Sequence, residues 1–138
     1  MRLEPLLQQV LDAYPNDVKL IMKNFPLSQH KFAMKAALAA LAANRQGKFW
    51  EFHDRLLKNA ASLSDAKIQS IAKELNLDMQ KFNTDMNDVA LRKLLGRERQ
   101  EGEDAGLKGT PWVLVNGKHL EEQNLGSFKK MIQSELKS

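Results

Sequence analysis

The stretch "TPWVLVNGKHL", residues 110–120, narrows the folds open to this chain more than any other. Thr110-Pro111 precedes an apolar run, and proline is tolerated where a strand begins. Asn116-Gly117 supplies a tight turn whose two residues accept the positive φ that a two-residue hairpin demands. The pattern predicts a strand over 112–116 and a second strand near 118–122. A β component is thereby fixed in a chain whose remaining periodicity is mostly helical.

The rest of the chain supplies that helical setting. Leu3, Leu6, Leu7, Val10, Leu11 and Tyr14 recur at helical spacing, and Pro15 closes the segment, which has no N-cap residue ahead of it. "DVKLIMKNF", 17–25, partly alternates and is rich in apolar residues, so a short buried strand is expected there, ended by Pro26. An alanine-rich helix is expected from Ser28, its cap, to about Arg45, with Gly47 as its stop. Ala33, Ala36, Ala37 and Ala40 would give it a small-residue face. Further helices are expected over 48–59 (Phe49, Phe52, Leu56 and Leu57), after Ser64 (Ile68, Ile71, Ala72 and Leu75), after Asp78 (Phe82 and Met86) and over 87–104. Gly96 and Gly102 lie inside the last of these, each costing ~1 kcal/mol against alanine. A terminal helix carries Leu125, Phe128, Met131, Ile132 and Leu136 as its buried stripe. The order is helix, strand, a block of helices, hairpin, helix, without repeat or linker, and one domain over 1–138 is expected.

Composition excludes several function classes. At 138 residues, with 43% hydrophobic and 28% charged residues, the chain suits a soluble globular domain. The net charge of +4 is interleaved rather than clustered. "RKLLGRERQEGED" sets Arg92, Lys93, Arg97 and Arg99 against Glu98, Glu101, Glu103 and Asp104, a solvated helix face rather than a nucleic-acid surface. No apolar run approaches the ~20 residues that cross a bilayer, so no membrane partner is expected. The acid-bearing N-terminus is not a signal peptide, which places the chain as written in the cytosol. There is no cysteine, hence no disulfide, thiolate nucleophile or cysteine-ligated metal.

The remaining candidates are weak. His30, His53 and His119 sit on separate elements and share no ligand spacing, so no metal and no cofactor is expected. In "FWEFH" the spacing of Phe49 and Phe52 favours core packing over a ligand platform, and leaves Trp50 off the stripe as an exposed anchor. Ser28, Ser62, Ser64, Ser70 and Thr110 lie in no nucleophile elbow.

Taken together, "YPNDVKLIMKNFPLSQHKFAMKAALAALAANRQGKFWEFHDRLLKN" and "LKGTPWVLVNGKHL" resemble the DsbA-like branch of the thioredoxin superfamily over essentially the whole length. "FPL", the alanine-rich helix and "QGKFWEFHD" carry the first half of the likeness, and the proline loop with its hairpin carries the second. The resemblance implies an α/β thioredoxin-like core with a helical block, about 28–106, inserted in it. It implies thiol–disulfide oxidoreductase ancestry, and substrate contact through Gly109, Thr110 and Pro111, with Thr110-Pro111 cis. There the exposed backbone would pair with an extended peptide.

The departure lies at the front. "MRLEP" resembles the segment just after the family's Cys-x-x-Cys, whose second cysteine, or a selenocysteine, would fall one residue before Met1. The N-terminal strand and the redox pair are missing from the sequence, which therefore reads as truncated. Dithiol exchange needs an attacking thiolate and a resolving thiol, so the chain as written is expected to be redox-inactive. The alternative is a non-catalytic module that binds peptides or itself. Full-length relatives in this branch are commonly periplasmic or extracytoplasmic. In the family topology the missing strand would separate 17–23 from 112–116. Its loss exposes strand edges, so a homodimer is expected through the Val18–Met22 or Trp112–Val115 region.

Overall fold

A computed structural model describes residues 3–25 and 32–137. They form helices α1 (Leu3–Ala13), α2 (Ala33–Asn44), α3 (Phe49–Lys58), α4 (Asp65–Glu74), α5 (Met79–Met86) and α6 (Val89–Asp104). Strands β1 (Leu114–Val115) and β2 (Lys118–His119) and helix α7 (Leu125–Leu136) follow. A single 3-10 turn, Ala60–Ser62, links α3 to α4. The chain divides into two compact units, one of residues 1–22 and 106–138, the other of residues 23–105.

The second unit is helical and is built around α2. Every residue from Leu38 to Ala43 is buried, so α2 buries its whole circumference over this stretch rather than one small-residue face. A helix apolar all round belongs in a core, and alanine side chains let α3, α4, α5 and α6 all reach it. Phe52 and Phe82, both fully buried, stack at 5.7 Å beside it. The proposed start at Ser28 lies outside the described residues; the described helix begins after Phe32, which makes no side-chain cap bond.

α3 starts after Lys48 without a side-chain cap, whereas α4, α5 and α6 are capped as their sequences require. Ser64 accepts the Lys67 N–H at 3.1 Å, Asp78 that of Lys81 at 3.1 Å and Asp88 that of Ala90 at 2.9 Å. Gln46 donates to the Asp78 carbonyl and accepts the Asp78 N–H, closing the α2–α3 loop on the start of α5. The Arg45 guanidinium donates to both Asp85 (2.7 Å) and Asp88 (2.8 Å). These bonds, to Asp88 first and Asp85 next, raise the Arg45 pKa. The Ala90 N–H, and then Arg45, hold Asp88 below its ordinary 3.8. The stretch Lys23–Phe25 is tied to α6. Glu98 accepts both the N–H and the side-chain amide of Asn24 at 2.9 Å, Lys23 pairs with Glu101, and Arg99 lies over the Phe25 ring.

The first unit packs α1 against α7 and the hairpin. Its buried core is Leu6, Val10, Leu120, Phe128 and Ile132, with Val18, Val113 and Val115 half-buried against it. Asn124 caps α7 by accepting the Ser127 N–H at 2.8 Å. The strand expected over 17–25 is not formed. Val18, Leu20, Met22 and Asn24 are half-buried while Lys19, Ile21 and Lys23 are exposed, which is the side-chain alternation of a strand. What is missing is a partner: the sheet among the described residues contains only β1 and β2, and a strand is defined by its ladder. The hairpin strands are likewise shorter than the expected 112–116 and 118–122.

Candidate functional site

The proline loop follows Gly106, at φ +77°, and runs as Leu107-Lys108-Gly109-Thr110-Pro111. Lys108, Gly109, Thr110 and Pro111 are all exposed, and the Thr110-Pro111 peptide is cis. A Cβ added at Gly109 would meet nothing within 4 Å. Among the described residues no backbone hydrogen bond is made by Lys108, Gly109 or Thr110. Pro111 is held from outside the loop: its carbonyl accepts the Gln123 side-chain amide at 3.3 Å.

The hairpin gives this loop a firm base. Leu114 pairs with His119 and Val115 with Lys118, and Leu120 N–H donates to the Val113 carbonyl at 3.0 Å. Asn116 at φ +49° and Gly117 at φ +81° form the turn, both in the left-handed region that a two-residue hairpin of matching twist needs. Lys118 pairs with Glu135 of α7 at 3.2 Å, anchoring the turn end. The indole of Trp112 lies parallel to the His119 imidazole, with centroids 3.6 Å apart. The Trp112 Nε1 is buried without a partner among the described residues.

Gly109, Thr110 and Pro111 are therefore brought together on one exposed loop, whereas Gln123, Trp112 and His119 were not singled out for it. The aromatic pair had a legible signal. With the turn at 116–117, Leu114 must face His119, which puts Trp112 diagonally next to His119 on the same face. Gln123 had none, because its reach to Pro111 depends on the path after β2. In the helical unit, His53 stacks on Phe49 at 5.7 Å and meets the edge of Trp50, which is 43% exposed. Among the described residues no three histidine or carboxylate groups converge as metal ligands would.

The loop and hairpin can hold and align a chain segment, but with no cysteine they offer no sulfur nucleophile. Comparison with known proteins gives this geometry its family. The thioredoxin family profile matches residues 2–134. The chain belongs to the thioredoxin family. A thioredoxin-like oxidoreductase from Silicibacter pomeroyi superposes with a TM-score of 0.84 at 25% identity, covering 99% of this chain and 79% of the other. The thiol-disulfide exchange protein alpha-DsbA2 from Wolbachia pipientis shares the fold with a TM-score of 0.79 at 23% identity, covering 96% and 72%. This member is thus a DsbA-like α/β thioredoxin fold, rich in helix. Among curated proteins it is 35% identical over 136 residues to the Na(+)/H(+) antiporter NhaA 3 of Salinispora tropica. It is 30% identical over 133 residues to the Na(+)/H(+) antiporter NhaA 1 of Salinispora arenicola. In each case the match covers 95% of this thioredoxin-family chain and 20% of the relative. The chain spans about a fifth of the length of the curated relatives it matches.

Proposed function

We propose that this chain is the polypeptide-holding side of a DsbA-like thiol–disulfide exchange domain and carries out no thiol chemistry by itself. The observation that supports this reading is the bare backbone of Lys108, Gly109 and Thr110, exposed and without hydrogen-bond partners among the described residues. A rigid hairpin base and an unpaired backbone tip suit main-chain pairing with an extended substrate segment, in which affinity comes from backbone N–H and C=O groups. Electron transfer between thiols needs a thiolate and a resolving thiol, and the 138 residues hold neither.

Ion transport, the activity in the names of the antiporter relatives, is not part of this reading. Among the described residues no helix is long and apolar enough to cross a membrane. We assign the shared fifth of those proteins to the exchange-type domain.

The test uses the full chain and a reduced, carboxymethylated unfolded protein as the disulfide-free ligand. Amide shifts confined to Lys108–Trp112 on titration, at least tenfold weaker affinity in Gly109→Val, and no insulin reduction above background are expected. A Cβ at Gly109 meets no atom within 4 Å beyond its chain neighbours, so a weakened complex in the variant reports on the ligand. Binding unaffected by Gly109→Val, or reproducible insulin turnover by the cysteine-free chain, would overturn the proposal.

A further inference from the structure

The solvent side of α3 holds an aromatic, an acidic and an aliphatic side chain in one stripe. Phe52 and Leu56 of this helix are buried in the helical core. Trp50, Asp54 and Leu57 follow one another at i, i+4 and i+7, the spacing of a single helix face. Trp50 is 43% exposed and Leu57 39%, and Asp54 between them is exposed as well.

Trp50 is exposed yet braced. Its indole meets the Phe49 ring at 5.1 Å between centroids and the His53 ring at 5.9 Å, at interplanar angles of 79° and 90°. Phe49 in turn packs against the helical core. A large side chain already held in place gives up little freedom on docking, which is the character of an interface anchor.

Asp54 supplies the charge. Glu51 pairs with Lys48 at 3.7 Å, and Arg55 with Glu74. The Asp54 carboxylate has no ion-pair or hydrogen-bond partner among the described residues, and Lys58, one turn further on, does not close on it. Residues four apart on a helix have Cβ atoms ~5–6 Å apart, so a group docked on the indole also reaches this carboxylate.

Those two neighbours select the group. A guanidinium lies flat on an indole and donates two parallel hydrogen bonds to a carboxylate. An ammonium is a point charge without the fork. An anion would be repelled by Asp54, and a wholly apolar ligand would bury the carboxylate unpaired. Leu57, about 10.5 Å along the axis from Trp50 at 1.5 Å per residue, calls for an aliphatic side chain at the same separation. The main chain of α3 is bonded within the helix, so an extended segment finds no backbone partner there, whereas a helix arrives with its own groups satisfied. A second copy fits poorly. Arg55, the arginine of α3, is held by Glu74, and both copies would carry the same net charge of +4.

We propose that this stripe of α3 docks an amphipathic helix of a separate protein, which lays an arginine over Trp50 and against Asp54 and sets an aliphatic side chain, seven residues away, on Leu57. Gly109, Thr110 and Pro111 take no part in this contact, so it stands or falls independently of substrate holding at the proline loop.

The test titrates the full chain with two alanine-based helical peptides, one with arginine seven residues before leucine and one with the order reversed, so that either helix direction is served. In a control for each, citrulline replaces arginine and removes the charge at nearly the same shape. One arginine peptide is expected to shift the amides of Phe49–Lys58 and to bind at least tenfold more tightly than its citrulline form. Trp50→Ala and Asp54→Asn are each expected to weaken it at least fivefold while keeping the circular dichroism of the wild type, since neither side chain belongs to the buried core. The citrulline comparison decides the matter even if a variant fails to fold. Equal binding of the arginine and citrulline forms, shifts centred outside α3, or no binding by either peptide overturns the proposal. A concentration-dependent dimer that Trp50→Ala disperses would give the stripe to a second copy and overturn it too.

Discussion

The helical unit and the hairpin unit of this chain are finished to different degrees. Among the described residues, the unit 23–105 encloses fifteen buried apolar residues around α2, whereas the hairpin unit has five, Leu6, Val10, Leu120, Phe128 and Ile132. The physical difference lies in where each kind of structure finds its hydrogen bonds. A helix satisfies its backbone within its own turn, so α2 to α6 need neighbours only to cover apolar surface. A strand must be satisfied by another strand, and Lys19–Met22 has none among the described residues.

The most forceful way to break that comparison is to empty each core. Phe52→Ala or Phe82→Ala removes a fully buried ring from a pair that stack on each other, and a loss of ~3–5 kcal/mol is expected in denaturant unfolding. Phe128→Ala is expected to cost less than either, because Phe128 belongs to the smaller core and lines a groove of about 180 Å³ beside Val10 and Ile132. Equal losses for Phe128 and Phe52 would show that the hairpin unit is packed as tightly as the helical one.

A smaller effect concerns acid. Asp88 has a folded pKa below its ordinary 3.8, held there first by the Ala90 N–H and then by Arg45. A depressed carboxylate stabilises the fold at pH values above the unfolded value, and that stabilisation is lost as pH falls through the folded one. Unfolding followed between pH 5 and pH 2 should therefore show falling stability that Asp88→Asn flattens, since asparagine keeps the cap on α6 but not the charge. An unchanged pH profile in the variant would remove Asp88 from the account of the helical unit's stability.

The smallest expected effect compares two turns. Gly47, at φ +74° after α2, and Gly117, at φ +81° in the hairpin, both occupy backbone that alanine adopts poorly. Either substitution is expected to cost ~1 kcal/mol. Urea midpoints measure it. A negligible cost at Gly117 alone would indicate that the hairpin turn relaxes freely, and would sharpen the contrast between the units.

Much of this architecture is legible in the sequence. Asn116-Gly117 announced the hairpin, and Ser64 and Asp78 announced α4 and α5, because turns and caps are local chemistry. Alternation over 17–25 was also real, yet it describes where side chains go, not what the backbone bonds to, so it produced a strand where none is formed. The alanines of α2 misled in a different way: six consecutive buried residues have no face for a periodic pattern to reveal. The Arg45–Asp85–Asp88 cluster was invisible because Arg45 lies 40 and 43 residues before the two aspartates and meets them only through the packing of α2 on α5 and α6. At the candidate site, Gly109, Thr110 and Pro111 were found through a family likeness, while Gln123 and the Trp112–His119 stack depend on the hairpin's register and the path beyond it.

Amide hydrogen exchange of the free chain, residue by residue, tests the central contrast most directly. Leu38–Ala43 is expected to exchange only on extensive unfolding, at least a thousandfold slower than Lys19–Met22, and Lys19–Met22 within about tenfold of unstructured peptide rates. Strong protection of Lys19–Met22 in the free chain would contradict this, for it would mean that this edge already has its partner.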